Sequence, residues 1–348
     1  MLDLSSRRLS QIAVHKVGNR YREEDLTLTD EPLLIDDEAV QDILLKYFLR
    51  PFKNETQHFH FYDEKDINKN EAFKAVKNIF DDPGFFIESS QTLASLLYEV
   101  SVHPKINGGE FYVVHLTNIL LDNELVEAVG IFKSETKETF LRVYPEGGGY
   151  EINYEEGISI NKLDKGCLIF NAEVEKGFRL CVVDNLNRQE ALYWKDDFLK
   201  VIARDDSYFH THNYLEFCKD FVDERLRKDF DIGRVDEVNL MNKSVEFFKN
   251  HDIFDVNTFA QDVIQAPEII DAFINFKKEK QVESPNMIFD EFAISKPAIK
   301  QAKKVYKSVI KLDKNFHIYV HGNRDWIERG FDEKTGLHYY KCFYKEEE

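Results

Sequence analysis

The sequence predicts an α+β fold, and three observations carry that prediction. Apolar runs separated by turn residues dominate positions 110–183, which is strand periodicity. Apolar residues three and four apart dominate positions 214–280, which is helix periodicity. The chain of 348 residues is two to three times the usual length of one core, so two domains are expected. The expected division is an α+β N-terminal domain with a largely antiparallel sheet over 1–192, then a mainly helical C-terminal domain over 193–348. The second domain is expected to close in a small β-hairpin unit, with strands inside 316–344.

In chain order, Ile12-Ala13-Val14 and Phe59-His60-Phe61-Tyr62 read as short strands, and 37–48, 70–80 and 91–100 as helices. Strands follow at 111–116, 126–132, 139–144, 166–170 and 178–183, and an antiparallel meander is the economical arrangement. Leu121-Asp122-Asn123-Glu124 and Pro145-Glu146-Gly147-Gly148-Gly149 supply turn chemistry between them. Helices are expected at 214–227, 235–250, 256–264 and 267–280, then a connection over 281–295 and a last helix over 296–312. Strands at 316–321, 326–331 and 337–344 end the chain, with Asp332-Glu333-Lys334-Thr335-Gly336 as a hairpin loop.

Lys and Arg total 46 against 64 Asp and Glu, a net of −18. That balance excludes a protein that coats polyanions with its whole surface, so any nucleic-acid contact must be local. The first ten residues lack an apolar signal core and no run of about 18 apolar residues occurs, so a cytoplasmic protein without membrane spans is expected. Cys167, Cys181, Cys218 and Cys342 lie far apart without a Cys-x-x-Cys pair and read as buried free thiols.

Catalytic and metal motifs are not found. Gly147-Gly148-Gly149 lacks a Walker lysine and reads as a hairpin loop. Asp66, Asn68 and Asn70 imitate a calcium loop, but Glu71 replaces the required glycine and Lys77 the closing Glu, so a helix start is favoured. His58 with His60, and His210 with His212, would share strand faces but specify no third ligand. The carboxylates are too spread for an acid and base to be named. Hence no catalytic residue, metal or cofactor is expected, and the chain reads as a non-enzyme.

One feature stands out. Lys296, Lys300, Lys303, Lys304, Lys307 and Lys311 fall within an arc of about 100° on an ideal helix. Ala298, Ile299, Ala302, Val305, Tyr306, Val309 and Ile310 occupy a separate arc, with Ser295 as N-cap and Pro297 tolerated in the first turn. Residues 295–348 hold 12 Lys and Arg against 8 Asp and Glu, a net of +4, which leaves −22 on residues 1–294. Two readings of the stripe stand: a solvated or intramolecularly paired face, or a surface for an external anion such as DNA. Lysines meeting phosphates fix position without reading sequence.

Several blocks are familiar in their order and spacing. Gln11-Ile12-Ala13-Val14-His15-Lys16, Gly108-Gly109-Glu110-Phe111-Tyr112-Val113-Val114 and Ala128-Val129-Gly130-Ile131-Phe132-Lys133-Ser134 lie in the first half. Tyr193-Trp194-Lys195-Asp196-Asp197-Phe198 and His317-Ile318-Tyr319-Val320-His321-Gly322-Asn323-Arg324 follow. Together they resemble the bacterial nucleoid-associated protein family known as NdpA, over nearly the whole length. The resemblance implies a cytoplasmic bacterial protein that accompanies the nucleoid, with DNA binding and without an established catalytic activity. It transfers no contact residues. The candidate DNA surface, Lys296, Lys300, Lys303, Lys304, Lys307, Lys311 and Arg324, therefore comes from the charge pattern, with duplex DNA as the expected partner. A nucleoid or DNA-handling protein is the alternative partner, and exposed sheet edges with ring-rich strands are compatible with a homodimer.

Overall fold

The structure is a computed structural model and describes residues 2–346 except 54–56, 187–192, 231, 284–287, 306–308, 313–315 and 320–325. The side chains of 303–305 and 309–311 also lie outside the description. The fold is mixed α+β, and the chain divides into two compact units, Met1–Arg204 and Asp205–Glu348.

In the first unit the chain runs β1 (Leu2–Asp3), β2 (Arg8–Val17), β3 (Leu26–Thr27), α1 (Glu38–Leu49), β4 (His58–Phe61), α2 (Glu71–Asp81) and α3 (Phe86–Val100). It continues through β5 (Gly109–Leu121), β6 (Glu124–Ser134), β7 (Glu138–Glu146), β8 (Gly149–Gly157), β9 (Lys165–Phe170), β10 (Arg179–Asp184), a π-helical segment (Tyr193–Leu199) and β11 (Val201–Ala203). The main sheet has the order β11-β4-β10-β9-β6-β5-β2-β3, with β1 added to the end of β5, and its pairings are antiparallel.

This corrects the simple meander. The hairpins β5–β6 and β9–β10 do follow one another in the sheet, but β7 and β8 pair only with each other and leave it as a separate ribbon. Their sequences explain the departure. The middles of the central sheet strands are apolar on both faces and their buried Lys133 and Lys165 are ion-paired, whereas β7 and β8 carry Glu138, Arg142, Glu151 and Glu155 along their lengths, too many charges for a two-sided core. Both hairpins turn in the same way. Asp122 and Asn123 have φ of 50° and 72°, Gly147 and Gly148 of 59° and 86°, so each loop has two central residues in the left-handed region that suits a two-residue hairpin.

Alternation along the strands feeds two cores. Phe111, Val113, Val129, Ile131, Cys167 and Ile169 face α2, α3 and the π-helical segment, meeting Phe73, Val76, Leu93, Leu97, Trp194 and Phe198. Tyr112, Val114, Phe132, Leu168 and Phe170 face α1 and Phe52. There Phe48 stacks on Phe132 with centroids 4.4 Å apart. The Asp66–Asn70 segment is the expected helix start. Asn70 accepts from Phe73 N and donates to the carbonyls of Tyr62, Leu199 and Lys200, tying the start of α2 to the residue after β4 and to the junction of the π-helical segment with β11.

His15 is locked within the first core. Its Nδ1 accepts from Thr29 N at 3.1 Å, so Nε2 carries the proton toward Ser90 Oγ at 3.0 Å, and Ser90 donates to Ile87 O. Burial pulls the imidazole down to about 4 from 6.5. A depressed histidine favours folding above its unfolded pKa, and that contribution fades as pH falls from 6.5 through 4. The expected loss is about 3 kcal/mol. Urea midpoints of wild type and His15→Gln between pH 7.5 and 4 check this, because the step must shrink in the variant.

The second unit runs α4 (Ser207–Phe221), a π-helical turn (Val222–Leu226), α5 (Arg227–Asp229), α6 (Arg234–Asn250), β12 (Ile253–Asp255), α7 (Val256–Phe259), a further π turn (Ala260–Ile264) and α8 (Pro267–Glu283). It ends with β13 (Glu291–Ala293), α9 (Lys296–Val305), β14 (Val309–Leu312), β15 (Phe316–Tyr319), β16 (Ile327–Asp332) and β17 (Leu337–Cys342). The ladders β12–β13, β14–β15 and β16–β17 are three separate two-stranded sheets. Rings fill its core: Tyr214 lies 4.1 Å from Phe254 and 5.8 Å from Phe292, and Phe217 stacks on Phe276 at 5.4 Å.

Several expectations change here. The 281–295 connection contains strand β13, too short for periodicity to reveal. His210 and His212 lie on α4, not on a strand, and two positions on a helix diverge by about 200°. His210 bridges to Asp205 at 2.9 Å, whereas His212 stacks on Tyr208. Cys167, Cys181 and Cys218 are buried free thiols, but Cys342 is exposed at the end of β17. Most consequentially, 296–312 is not one helix: helix is described to Val305, and 309–312 is strand. The β-branched pair Val309 and Ile310 favours the extended form. Pairing with β15 places Leu312 and Ile318 against Val235 and Val238 of α6.

Candidate nucleic-acid interface

The cationic segment begins with α9, which docks through Ala298, Ile299 and Ala302, all buried, onto α4 and α6. The predicted apolar arc therefore does its work over the helix that exists. The lysines have separate fates. Lys296 Nζ donates to the carbonyls of Lys249 at 2.9 Å and His251 at 2.5 Å, and pairs with Asp252 at 3.3 Å. It caps the C-terminal end of α6, where unsatisfied carbonyls and the helix dipole favour a cation. This is the intramolecular reading, realised at one residue. Lys296→Ala should cost about 1 kcal/mol, read as a lowered urea midpoint.

Lys300 is exposed and makes no ion pair among the described residues. Lys303 and Lys304 lie in the last described turn of α9, while Lys307 and Arg324 fall outside the described residues. Lys311 leaves the helical stripe altogether and occupies the position on β14 opposite His317 of β15. The segment 296–325 nevertheless concentrates charge, with eight Lys and Arg against two Asp, a net of +6.

Around it stand groups that sequence reasoning passed over. Phe316, Tyr319, Trp326, Tyr339, Phe343 and Tyr344 are exposed on or beside the terminal ribbons. Lys341 lies over the Phe343 ring at 4.7 Å and Lys345 over Trp326 at 5.7 Å. The available signal was the adjacent rings Tyr339-Tyr340 and Phe343-Tyr344, because neighbours on a strand cannot both face one core. Arg329 lies beside Gly233 at the start of α6, where a Cβ would stand 3.5 Å from Arg329 Nη1. Arg227 and Arg234 are differently employed. Arg227 holds both oxygens of Glu237 at 2.9 Å, and Arg234 also grips this carboxylate. Burial pushes Glu237 up, but the two guanidiniums outweigh it and hold the carboxyl below its usual range.

A rival cluster lies in the first unit. Register places Lys133 of β6 beside Lys165 of β9, and Lys165 beside Asp184 of β10, so carboxylates scattered in sequence are brought together. Lys133 pairs with Glu135 at 3.1 Å and donates to Asn107 O at 2.8 Å; Lys165 pairs with Asp184 at 2.5 Å. Tyr193 donates its hydroxyl to Glu135 at 3.0 Å, and Asp164 accepts from the backbone of Glu135 and Thr136. Burial pushes the Lys133 ammonium down against the pull of Glu135. Each cation here has its anion, so the cluster is built as a buried pinning network for the strand ends. His58 and His60 are likewise engaged, with Arg179 at 2.8 Å and Glu173 at 3.0 Å respectively. Among the described residues no group of three or more His, Cys, Asp or Glu is placed to hold a metal ion, and no helix is long and apolar enough to cross a membrane.

Compared with known proteins, residues 13–335 match the family model described as nucleoid-associated protein YejK. No curated protein matches the chain.

Proposed function

The chain belongs to the nucleoid-associated protein YejK family, and from that membership we propose that it joins the nucleoid by binding duplex DNA directly, without catalysis. The contact is weak, tolerant of sequence and carried by the cationic segment 296–325, with Lys300, Lys303, Lys304, Lys307, Lys311 and Arg324 as the residues that meet phosphates. One observation supports this above others: a net of +6 is gathered in 30 residues of a chain whose first 294 carry −22. Such segregation gives a local cationic surface for an anion while the remainder repels the duplex, which keeps the contact confined and salt-sensitive. Lys296, committed to the end of α6, contributes charge nearby but its primary task is structural. Anisotropy titration of a labelled duplex and of a shuffled duplex at low salt tests the reading: comparable binding to both is expected, and no binding to either would overturn it.

The acidity of residues 1–294 favours a second reading, in which that surface engages a basic DNA-handling protein and DNA association is indirect. Recovery of partners before and after complete nuclease digestion separates the two, since direct binding predicts that nucleoid proteins are lost with the DNA.

A further inference from the structure

We propose that the β7–β8 ribbon is a dimerisation arm that packs face to face on the same ribbon of a second copy of this chain. Register assigns its two faces. Leu141 stands opposite Tyr154, Val143 opposite Ile152 and Pro145 opposite Tyr150, so these six side chains share one face. The other face carries Arg142, Tyr144, Glu151, Asn153 and Glu155, with Phe140 its one large apolar side chain, and is joined by the Arg142–Glu155 ion pair at 2.9 Å and hydrogen bonds of the Tyr144 hydroxyl with Glu151 and Asn153. The polar face is thus satisfied within the ribbon. The apolar face is bare: Leu141 is 75% exposed, Val143 59%, Tyr150 77%, Ile152 65% and Tyr154 71%. A lone two-stranded hairpin is marginal in water, and one with this face uncovered lacks the burial that would hold it.

Charge and area select the occupant. The ribbon holds five Glu against one Arg, a net of −4, which at first suggests a basic partner. Yet alternation puts Glu138, Glu146, Glu151 and Glu155 on the reverse face and leaves only Glu156, near the base of the ribbon, on the apolar one. A cation docked on the apolar face would meet almost no countercharge, whereas a second apolar ribbon meets no repulsion. The bare side chains offer roughly 500 Å² per ribbon, and two ribbons face to face bury roughly 1,000 Å². That reaches the lower bound for a specific interface, and a two-fold contact uses the same patch twice. Pro145 denies the β7 edge a donor near the tip, which disfavours edge-to-edge extension in place of face packing.

Sedimentation equilibrium of the full chain tests the arm. Wild type is expected to be a dimer at about 10 μM, and the Leu141→Glu, Ile152→Glu double variant a monomer with a dissociation constant raised at least a hundredfold. Arg142→Ala, on the reverse face, is expected to remain dimeric. Circular dichroism of each variant reports whether the fold is intact; should the double variant fail to fold, replacement of 138–157 by a short Gly-Ser turn gives the same comparison. A wild type that stays monomeric at about 100 μM, or a folded double variant or ribbon deletion that stays dimeric, overturns the proposal. Duplex affinity measured on the monomeric variant keeps this outcome separate from the DNA reading.

Discussion

Replacing Lys133 by Met is expected to cost about 3 to 5 kcal/mol in unfolding free energy, the largest single-residue effect in the molecule. Lys133 is fully buried, and its partner Glu135 has a side chain only 3% exposed. Met fills similar space, so little cavity follows; the cost comes from the carboxylate left behind. Tyr193 OH and Asn107 N still donate to Glu135, but neither brings a charge. The pair itself need contribute little, because the desolvation that pushes Lys133 down opposes the Coulomb attraction. Adding Glu135→Gln should therefore restore most of the loss, since the amide is neutral and can still accept from Tyr193. Urea denaturation of the two single variants and the double variant checks this cycle. Equal losses in Lys133→Met and the double variant would contradict the role of the stranded carboxylate and reopen the cluster as something other than a pin between strands.

Much of the architecture was legible because it rests on local chemistry. Asp122-Asn123 and Gly147-Gly148 announce their hairpins through residues that accept positive φ, and Asn70 announces a helix through capping. What was not legible depends on partners distant in sequence. The charges within 138–157 set its strands apart from a two-sided core, but only long-range pairing shows that the main sheet closes past the ribbon by joining β6 to β9. The Lys133–Lys165–Asp184 row is also a product of register. In the candidate interface the charge was legible and its geometry was not. On an ideal helix the six lysines share one arc, but β14 begins at Val309 because strand pairing with 316–319 places Leu312 and Ile318 against α6. Lys296 makes the same point: its place in the arc gave no sign that four residues, Phe248, Lys249, His251 and Asp252, would engage its ammonium.

Lys300, Lys303, Lys304 and Lys307 are the changes with the largest expected effect on binding. Substituted together by Glu, they remove four cations and add four anions in a segment whose net charge then falls from +6 to −2. The fold should persist, because Ala298, Ile299 and Ala302 still dock α9 and Lys296 still caps α6. The most direct measurement is duplex affinity as a function of salt for wild type and this variant. Wild type should lose about three decades of affinity between 50 and 200 mM salt, and the variant should bind far more weakly, with a log–log slope shallower by about 0.9 for each contact removed. Equal affinity and slope in both proteins, or no wild-type binding at low salt, would contradict direct DNA association through this segment.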